Sequence, residues 1–595
     1  MNSKKKKSSA IICLIMCVLM VLCGVLEWGI QSGWGKIRIE RVRLAADNGL
    51  MYSAVMYIPK TAKNDNPAPL AILYHGNSGN AKSHEGQAIE YARRGFVVIT
   101  ADNNGGGESE FANKDKNIVA ARIFTDYALS LKNIDPKRVV MGGHSMGGDM
   151  AVQMGATYKP AVLLVSDNGG MGEEIGANNG NTLYINGSSD KLNPMEKYQK
   201  RAADRFKMNG VDMGGDEIAQ LGKLYGSFKD GNASLMVAIE GQVHEAAVVN
   251  ADHLEAMLDF TMQSFDVPNA IPADDQIWQR AFAVGQIGMI LFAAFLCTFA
   301  VMLAEYVPAF NIVKQPLPRN IGMRKLPFVI SLICGLGFPL LTLYTGAFGL
   351  IDAIGGRKPN LSWLPVKYTN FALAIIIALN IFGLIMFFVY HFTWGKKNFQ
   401  AGLDDYGITV AGSKKISLPL IAKAAVVAAI TVIVGWTFLA AQYGLLGIDF
   451  YCMYWGYKPI AADKFVYYIG YIIIWAICFA IAALGMCVER RLPSTGKEWL
   501  DTLIAMAFNV VVAAGAITAM VLIENAIQVG LGTSATALAG WKTDMTRIWG
   551  MPVGMIIGAA GNTYCFRKTG NIWLGAFLMG TVCALSACTY GQIAF

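Results

Sequence analysis

The chain has 595 residues, of which 54% are hydrophobic and only 15% charged, with a formal net charge of +8. That length exceeds one compact domain, and that composition is too apolar for two soluble ones. The positive charge gathers at the ends of apolar runs and forms no basic patch that argues for nucleic acid.

Four lysines, Lys4 to Lys7, precede an apolar run from Ile11 to Leu26. A cleavable signal peptide is the rival reading. The run is longer than a usual signal core, no A-x-A-like site follows it, and Trp28 and Trp34 suit the membrane interface. Leu22 before Cys23 also argues against a lipoprotein site. Residues 1–34 are therefore expected to form an uncleaved signal anchor, with the lysines holding the N-terminus in the cytoplasm.

From Lys36 to Phe265 short β-rich runs alternate with helical patterns, the signature of a mostly parallel sheet covered on both faces. The expected strands are KIRIERVRL, MYSAVMYI, PLAILYH, FVVITA, RVVMG, AVLLVS, TLYIN and SLMVAIE. Five helical segments separate or follow them. Ligands in such sheets bind beyond the carboxyl ends of the strands, so chemistry is expected in the loops there.

Within this region VVMGGHSMGGDM reads as strand, tight turn and helix start. Its centre, Gly143 to Gly147, is G-x-S-x-G, which puts the Ser145 hydroxyl on a sharp turn where a neighbouring Cβ would collide with strand and helix. In this setting residues 35–270 resemble an α/β-hydrolase, of the dienelactone hydrolase and esterase type, over about 230 residues. The resemblance covers none of the remaining chain. It implies the chain order nucleophile, acid, base: Ser145, then Asp190 in GSSDKLNP after TLYIN, then His244 in EGQVHEA after SLMVAIE. Asn193 and Pro194 are expected to start the next helix, which leaves Asp190 free. It further implies oxyanion donors at the backbone N–H of Met146 and of Asn77, the latter in the turn HGNSG. His75 and His144 occupy motif positions that are structural in the family, and His253 falls within a helix. The segment ADNNGGGES departs from many relatives by having Asn103 and Asn104 where they carry an arginine. No cofactor or metal is implied. The short segment from Asp167 to Asn181 leaves no room for a lipase lid, so an open site is expected, and the stretch between Asp190 and His244 is enough for a small cap.

DVPNAIPADDQ marks a linker, placed at 271–277, after which residues 278–595 form an all-α membrane domain. Eight runs there reach the 18 or so residues that cross a bilayer: Ala281 to Leu303, Leu326 to Leu350, Phe371 to Phe392, Leu418 to Tyr443, Phe465 to Val488, Leu500 to Ile523, Ile548 to Phe566 and Ile572 to Ile593. The seventh, with Pro552 and Asn562, is the weakest and reads as kinked or re-entrant. With the N-terminal run this makes nine spans. Every second loop is basic: Lys314, Arg319, Arg324 and Lys325; Lys396, Lys397, Lys414 and Lys415; Arg490, Arg491 and Lys497; Arg567 and Lys568. These belong inside, so the hydrolase-like domain faces outside. Arg357, Lys358 and Lys367 make one exception. All eleven cysteines lie in or near apolar runs, so the exposed domain has no disulfide.

The expected function is a cell-membrane serine hydrolase that cleaves a carboxylic ester or related acyl bond through Ser145, Asp190 and His244. Its partners are an acyl ester or lipid-like substrate and membrane lipids, with no nucleic acid. An acyltransferase acting on an amphiphile, a serine peptidase, and a transporter with an appended hydrolase remain open; Asn380, Lys423 and Asn509 are the polar residues at membrane depth that a transporter would use.

Overall fold

A computed structural model of the chain describes residues 3–594, apart from 48, 78, 112–116, 179, 266–270, 357, 453–454 and 544–547. Residues 266–270 of the expected linker region, and Arg357 of the exceptional basic loop, thus lie outside the described residues.

The first helix, α1 (Ser3–Gln31), leads directly into a nine-stranded sheet. Its strands are β1 (Ile37–Ala45), β2 (Met51–Pro59), β3 (Ala68–Tyr74), β4 (Val97–Ala101), β5 (Ile134–His144), β6 (Val162–Ser166), β7 (Asn181–Gly187), β8 (Leu224–Tyr225) and β9 (Ser234–Ile239). The order across the sheet is β1-β2-β4-β3-β5-β6-β7-β9-β8. The strands from β4 through β9 in that row run parallel, while β1, β2 and the two-residue β8 are antiparallel edges. All eight expected strands are present. The two-residue β8 carries too little pattern to be read from sequence.

Alternation within the strands sorts side chains to two cores. Leu70, Ile72 and Tyr74 of β3 join one cluster, and Ala71 and Leu73 join the other. Both faces are covered by helices: α2 (Glu85–Arg93), α3 (Ile118–Ser130), α4 (Met146–Tyr158), α5 (Met195–Met208) and α6 (Ala251–Phe265). Each fully buried Leu or Ile contributes about 1.5–3 kcal/mol, so these central strands anchor the fold. The segment between Asp190 and His244 forms α5, β8 and β9 at the sheet edge.

Among the described residues, eight helices are long and apolar enough to cross a membrane: α1 and seven after residue 277. The seventh expected span departs from its reading. Met551–Thr569 is one continuous helix, but Asn562, Thr563, Arg567 and Lys568 make it too polar to qualify by composition. It is enclosed by other helices and makes polar contacts with them: Asn562 Nδ2 donates to the Phe479 carbonyl at 2.9 Å, and Asn509 Nδ2 to Thr563 Oγ1 at 2.9 Å. Small residues permit this close packing. A Cβ on Gly580 would sit 2.6 Å from Ala476 Cα in the neighbouring helix. Asn380 donates to the Ile376 carbonyl of its own helix at 2.9 Å, and Lys423 is exposed.

The helical bundle and the sheet domain touch at one end of the bundle. Lys464 Nζ donates to the carbonyls of Gly105, Gly106 and Gly107 at 3.0, 3.2 and 2.9 Å. Lys191 pairs with Glu524 at 2.9 Å, and the Ile593 N–H donates to the Gly105 carbonyl at 3.0 Å. At the opposite end the basic loops meet one another. Arg324 Nη1 donates to the Arg491 carbonyl at 2.9 Å, Arg491 Nη1 to the Pro318 carbonyl at 2.7 Å, and Lys568 pairs with Glu498 at 3.1 Å. The helical stretch from Lys464 to Arg490 separates the two ends by roughly 40 Å, at 1.5 Å per residue.

Candidate active site

β5 ends at His144 and α4 begins at Met146, so Ser145 alone makes the turn between them. It does so with φ 57° and ψ −124°, a conformation that costs a non-glycine residue on the order of 1–3 kcal/mol and aims its side chain away from the sheet. The flanking glycines make the turn possible. A Cβ on Gly143 would lie 2.6 Å from the Tyr74 carbonyl oxygen, and one on Gly147 would overlap that same carbonyl. The elbow is therefore pressed against the end of β3.

His244 follows β9 and opens a short 3-10 turn. Its Nε2 lies 2.9 Å from Ser145 Oγ, and its Nδ1 lies 2.7 Å from Asp190 Oδ2. Asp190 follows β7, and its second oxygen accepts from the N–H groups of Leu192 and Asn193 at 2.8 and 3.1 Å. Asp190 thus caps its own loop as well as holding the ring. Asn193 does not cap α5 as expected, because its Nδ2 donates to the Asp167 carbonyl and to Asp190 Oδ2, and Pro194 takes the N-cap position instead.

Electrostatics favour charge on this pair. Burial opposes protonation of His244, but the hydrogen bond to Asp190 and the Asp190 charge outweigh it and carry the ring to about 9. For Asp190, burial raises the pKa, and the bonds to His244 and Asn193 overcome it and hold it below the ordinary value. A second carboxylate, Asp167, immediately follows β6 and has the opposite fate. Burial and the neighbouring Asp190 charge push it up to about 8. Side-chain atoms of Asp167, Asp190 and His244 lie within 4.8 Å of one another, close enough to hold a metal ion. Hydrogen bonds already use these atoms: Asp167 accepts from the Gly187 N–H at 2.8 Å and Ser166 Oγ at 3.0 Å. Sequence reasoning missed Asp167, although its place at a strand end was the available signal.

The other histidines hold loops. His144 Nε2 donates to the His244 carbonyl at 2.9 Å, and burial together with the His244 ring pushes its pKa well below the ordinary value. The Asn103 N–H donates to His75 Nε2 at 3.1 Å, while His75 Nδ1 donates to the Gly76 carbonyl at 2.8 Å. His253 is buried between Ser166 Oγ and Gln242 Oε1. The ADNNGGGES segment, lacking the arginine, offers its glycine carbonyls to Lys464 of the bundle.

Met146 and Asn77 both line the cavity above Ser145. Met146 opens α4, so its N–H has no carbonyl partner within the helix. The Asn77 side chain donates to Tyr368 Oη of the bundle at 2.7 Å. Tyr451, also from the bundle, completes the cavity wall. The expected open site is thus walled in part by the helical half.

Residues 69–166 match the family model described as alpha/beta hydrolase fold, which with the sheet order assigns that fold to this part of the chain. An uncharacterized protein of Mycobacterium tuberculosis is 27% identical over 146 residues, 24% of this chain and 41% of that protein. The multifunctional-autoprocessing repeats-in-toxin of Vibrio cholerae is 27% identical over 99 residues, 16% of this chain and 2% of the toxin. The chain therefore spans less than half the length of these relatives. Among solved structures, Est1E from Butyrivibrio proteoclasticus with ferulic acid bound is 16% identical, covering 37% of this chain and 98% of that one, with a TM-score of 0.28. An esterase of Pyrobaculum calidifontis is 12% identical, covering 45% and 99%, with a TM-score of 0.31.

Proposed function

We propose that the chain is a membrane-bound serine hydrolase that cleaves a carboxylic ester or related acyl bond through a covalent acyl-enzyme. The observation that carries this reading is the unbroken line from Asp190 through His244 to Ser145, at 2.7 and 2.9 Å, with the three residues in the loops that follow β7, β9 and β5. Ser145 Oγ attacks the acyl carbonyl while His244 Nε2 takes its proton. Asp190 fixes the ring with Nε2 toward the serine and stabilises the imidazolium that forms. In this reading the developing oxyanion accepts from the N–H groups of Met146 and Asn77, each contributing about 3–4 kcal/mol to transition-state stabilisation. His244 then protonates the leaving alcohol, and water repeats the sequence to release the acid.

The eight apolar helices support a membrane location. In this reading the hydrolase domain lies outside and the clustered basic loops inside. The partial cover over Ser145 by Tyr451 also suits an acyltransferase, in which an alcohol replaces water as the acceptor.

The test is hydrolysis of a panel of carboxylic esters by the purified full chain. Release of acid by the parent, and its loss in Ser145→Ala, supports the reading. Equal release by both proteins contradicts it, and a gain of transferred product on adding a long-chain alcohol selects the acyltransferase.

A further inference from the structure

Three cavities lie in series between Ser145 and the middle of the bundle. The first, about 990 Å³ with its mouth included, is lined by Ser145, His244 and Tyr451. Asn77 and Glu245 line it and also line a second, of about 740 Å³. Ala372, Trp455 and Met551 in turn line both the second and a third, of about 1170 Å³. These shared lining residues place the three cavities in one row from Ser145 to the middle of the bundle.

Its chemistry changes along its length. The hydrolase end presents the serine, the histidine and the Asn77 turn. The bundle end is aromatic and aliphatic, with Phe338 and Phe382 stacked at 3.8 Å beside Trp475 and Phe479. A polar plug of three side chains also lines it: Ser331 Oγ donates to Glu489 Oε1, and Arg490 Nη1 lies 3.4 Å from Ser331 Oγ.

We propose that this row of cavities binds the acyl tail of the substrate, a long-chain ester whose carbonyl sits at Ser145 and whose chain runs past Trp455 into the bundle cavity. The proposal rests on Ser145 being the nucleophile. The bond from Ser145 Oγ to the acyl carbon forms as the ester C–O bond breaks. The serine proton passes through His244 to the departing alkoxide, and water later releases the fatty acid and restores the hydroxyl. Each methylene taken from water into the apolar section would raise kcat/KM roughly fourfold until the chain reaches the plug.

Two measurements on the full chain in nanodiscs test this. The first is the ratio of kcat/KM for a dodecanoyl ester to that for an acetyl ester, in the parent and in Ala372→Trp, which fills the neck. A fall of at least tenfold in that ratio is expected, and an unchanged ratio overturns the proposal. The second needs neither turnover nor a neck variant: a long-chain alkyl ketone with a terminal diazirine is photo-crosslinked to Ser145→Ala. Adducts on Phe338, Phe382 or Trp475, competed by the dodecanoyl ester, are expected. Adducts confined to outward residues such as Ile333 and Ile385, which are 64% and 55% exposed, overturn it. Cavity adducts in a protein that hydrolyses no ester would support the tail site and refute Ser145 as the nucleophile.

Discussion

Asp190 and Asp167 both lie beside His244, yet only Asp190 hydrogen-bonds the ring, and their surroundings drive their proton affinities apart. Near neutral pH Asp190 is the charged partner and Asp167 the protonated one. Asp190→Asn should therefore lower kcat by about 10³–10⁴-fold, as expected when the ring loses its orienting carboxylate. Asp167→Asn should cost less than about tenfold. Comparable losses in the two variants would show that the pair acts as one unit. The pH profile follows from the same geometry. His244 must be neutral to take the serine proton, and its pKa is raised to about 9. The acid limb of kcat/KM should thus lie well above the ordinary histidine value near 6.5, with activity climbing from pH 7 toward pH 9. An acid limb below about 7 would contradict this arrangement.

At the scale of elements, the strand β5, the Ser145 turn and α4 form a unit whose tightness sets where the Ser145 side chain stands. Because a Cβ on Gly147 would overlap the Tyr74 carbonyl, Gly147→Ala should destabilise the domain by about 1–3 kcal/mol. Thermal unfolding at a fixed scan rate checks this, with an unchanged midpoint as the contrary result. This unit and the positions of Asp190 and His244 were legible in the sequence because each sits at the end of a short apolar strand, where local pattern fixes place. The same logic reaches the helices: Leu418 and Phe465 begin helices where apolar runs begin. Helix ends were less legible. The run from Leu326 to Leu350 stops being helical at Tyr344, and Phe348 beyond it takes a positive φ of 57°. The role of Asn193 was misjudged, since Asn193 and Pro194 look like a cap and first turn, while tertiary contacts to Asp167 draw Asn193 elsewhere.

Over the whole molecule, the hydrolase domain stands with its strand ends against the helical bundle. No sequence pattern could announce this, because the contacts join distant residues: Asn77 with Tyr368, Gly105 with Lys464, and Asn104 with Gln592. Lys464 is the most telling, since one ammonium holds three carbonyls of the Gly105 to Gly107 turn. Lys464→Ala should accelerate amide exchange in that turn and slow reaction at Ser145 severalfold, and exchange identical to the parent would remove Lys464 from the docking. The proposed orientation predicts that protease added to intact protoplasts digests the hydrolase domain; protection until lysis would reverse it. The proposed acyl chemistry depends on Ser145 being a nucleophile activated by His244. Incubation of the full chain with a fluorophosphonate, followed by mass spectrometry of the peptide that contains residue 145, tests this most directly. A single phosphonyl adduct is expected on Ser145, absent from Ser145→Ala and strongly reduced in His244→Ala. An unmodified Ser145, or labelling that survives Ser145→Ala, would contradict it.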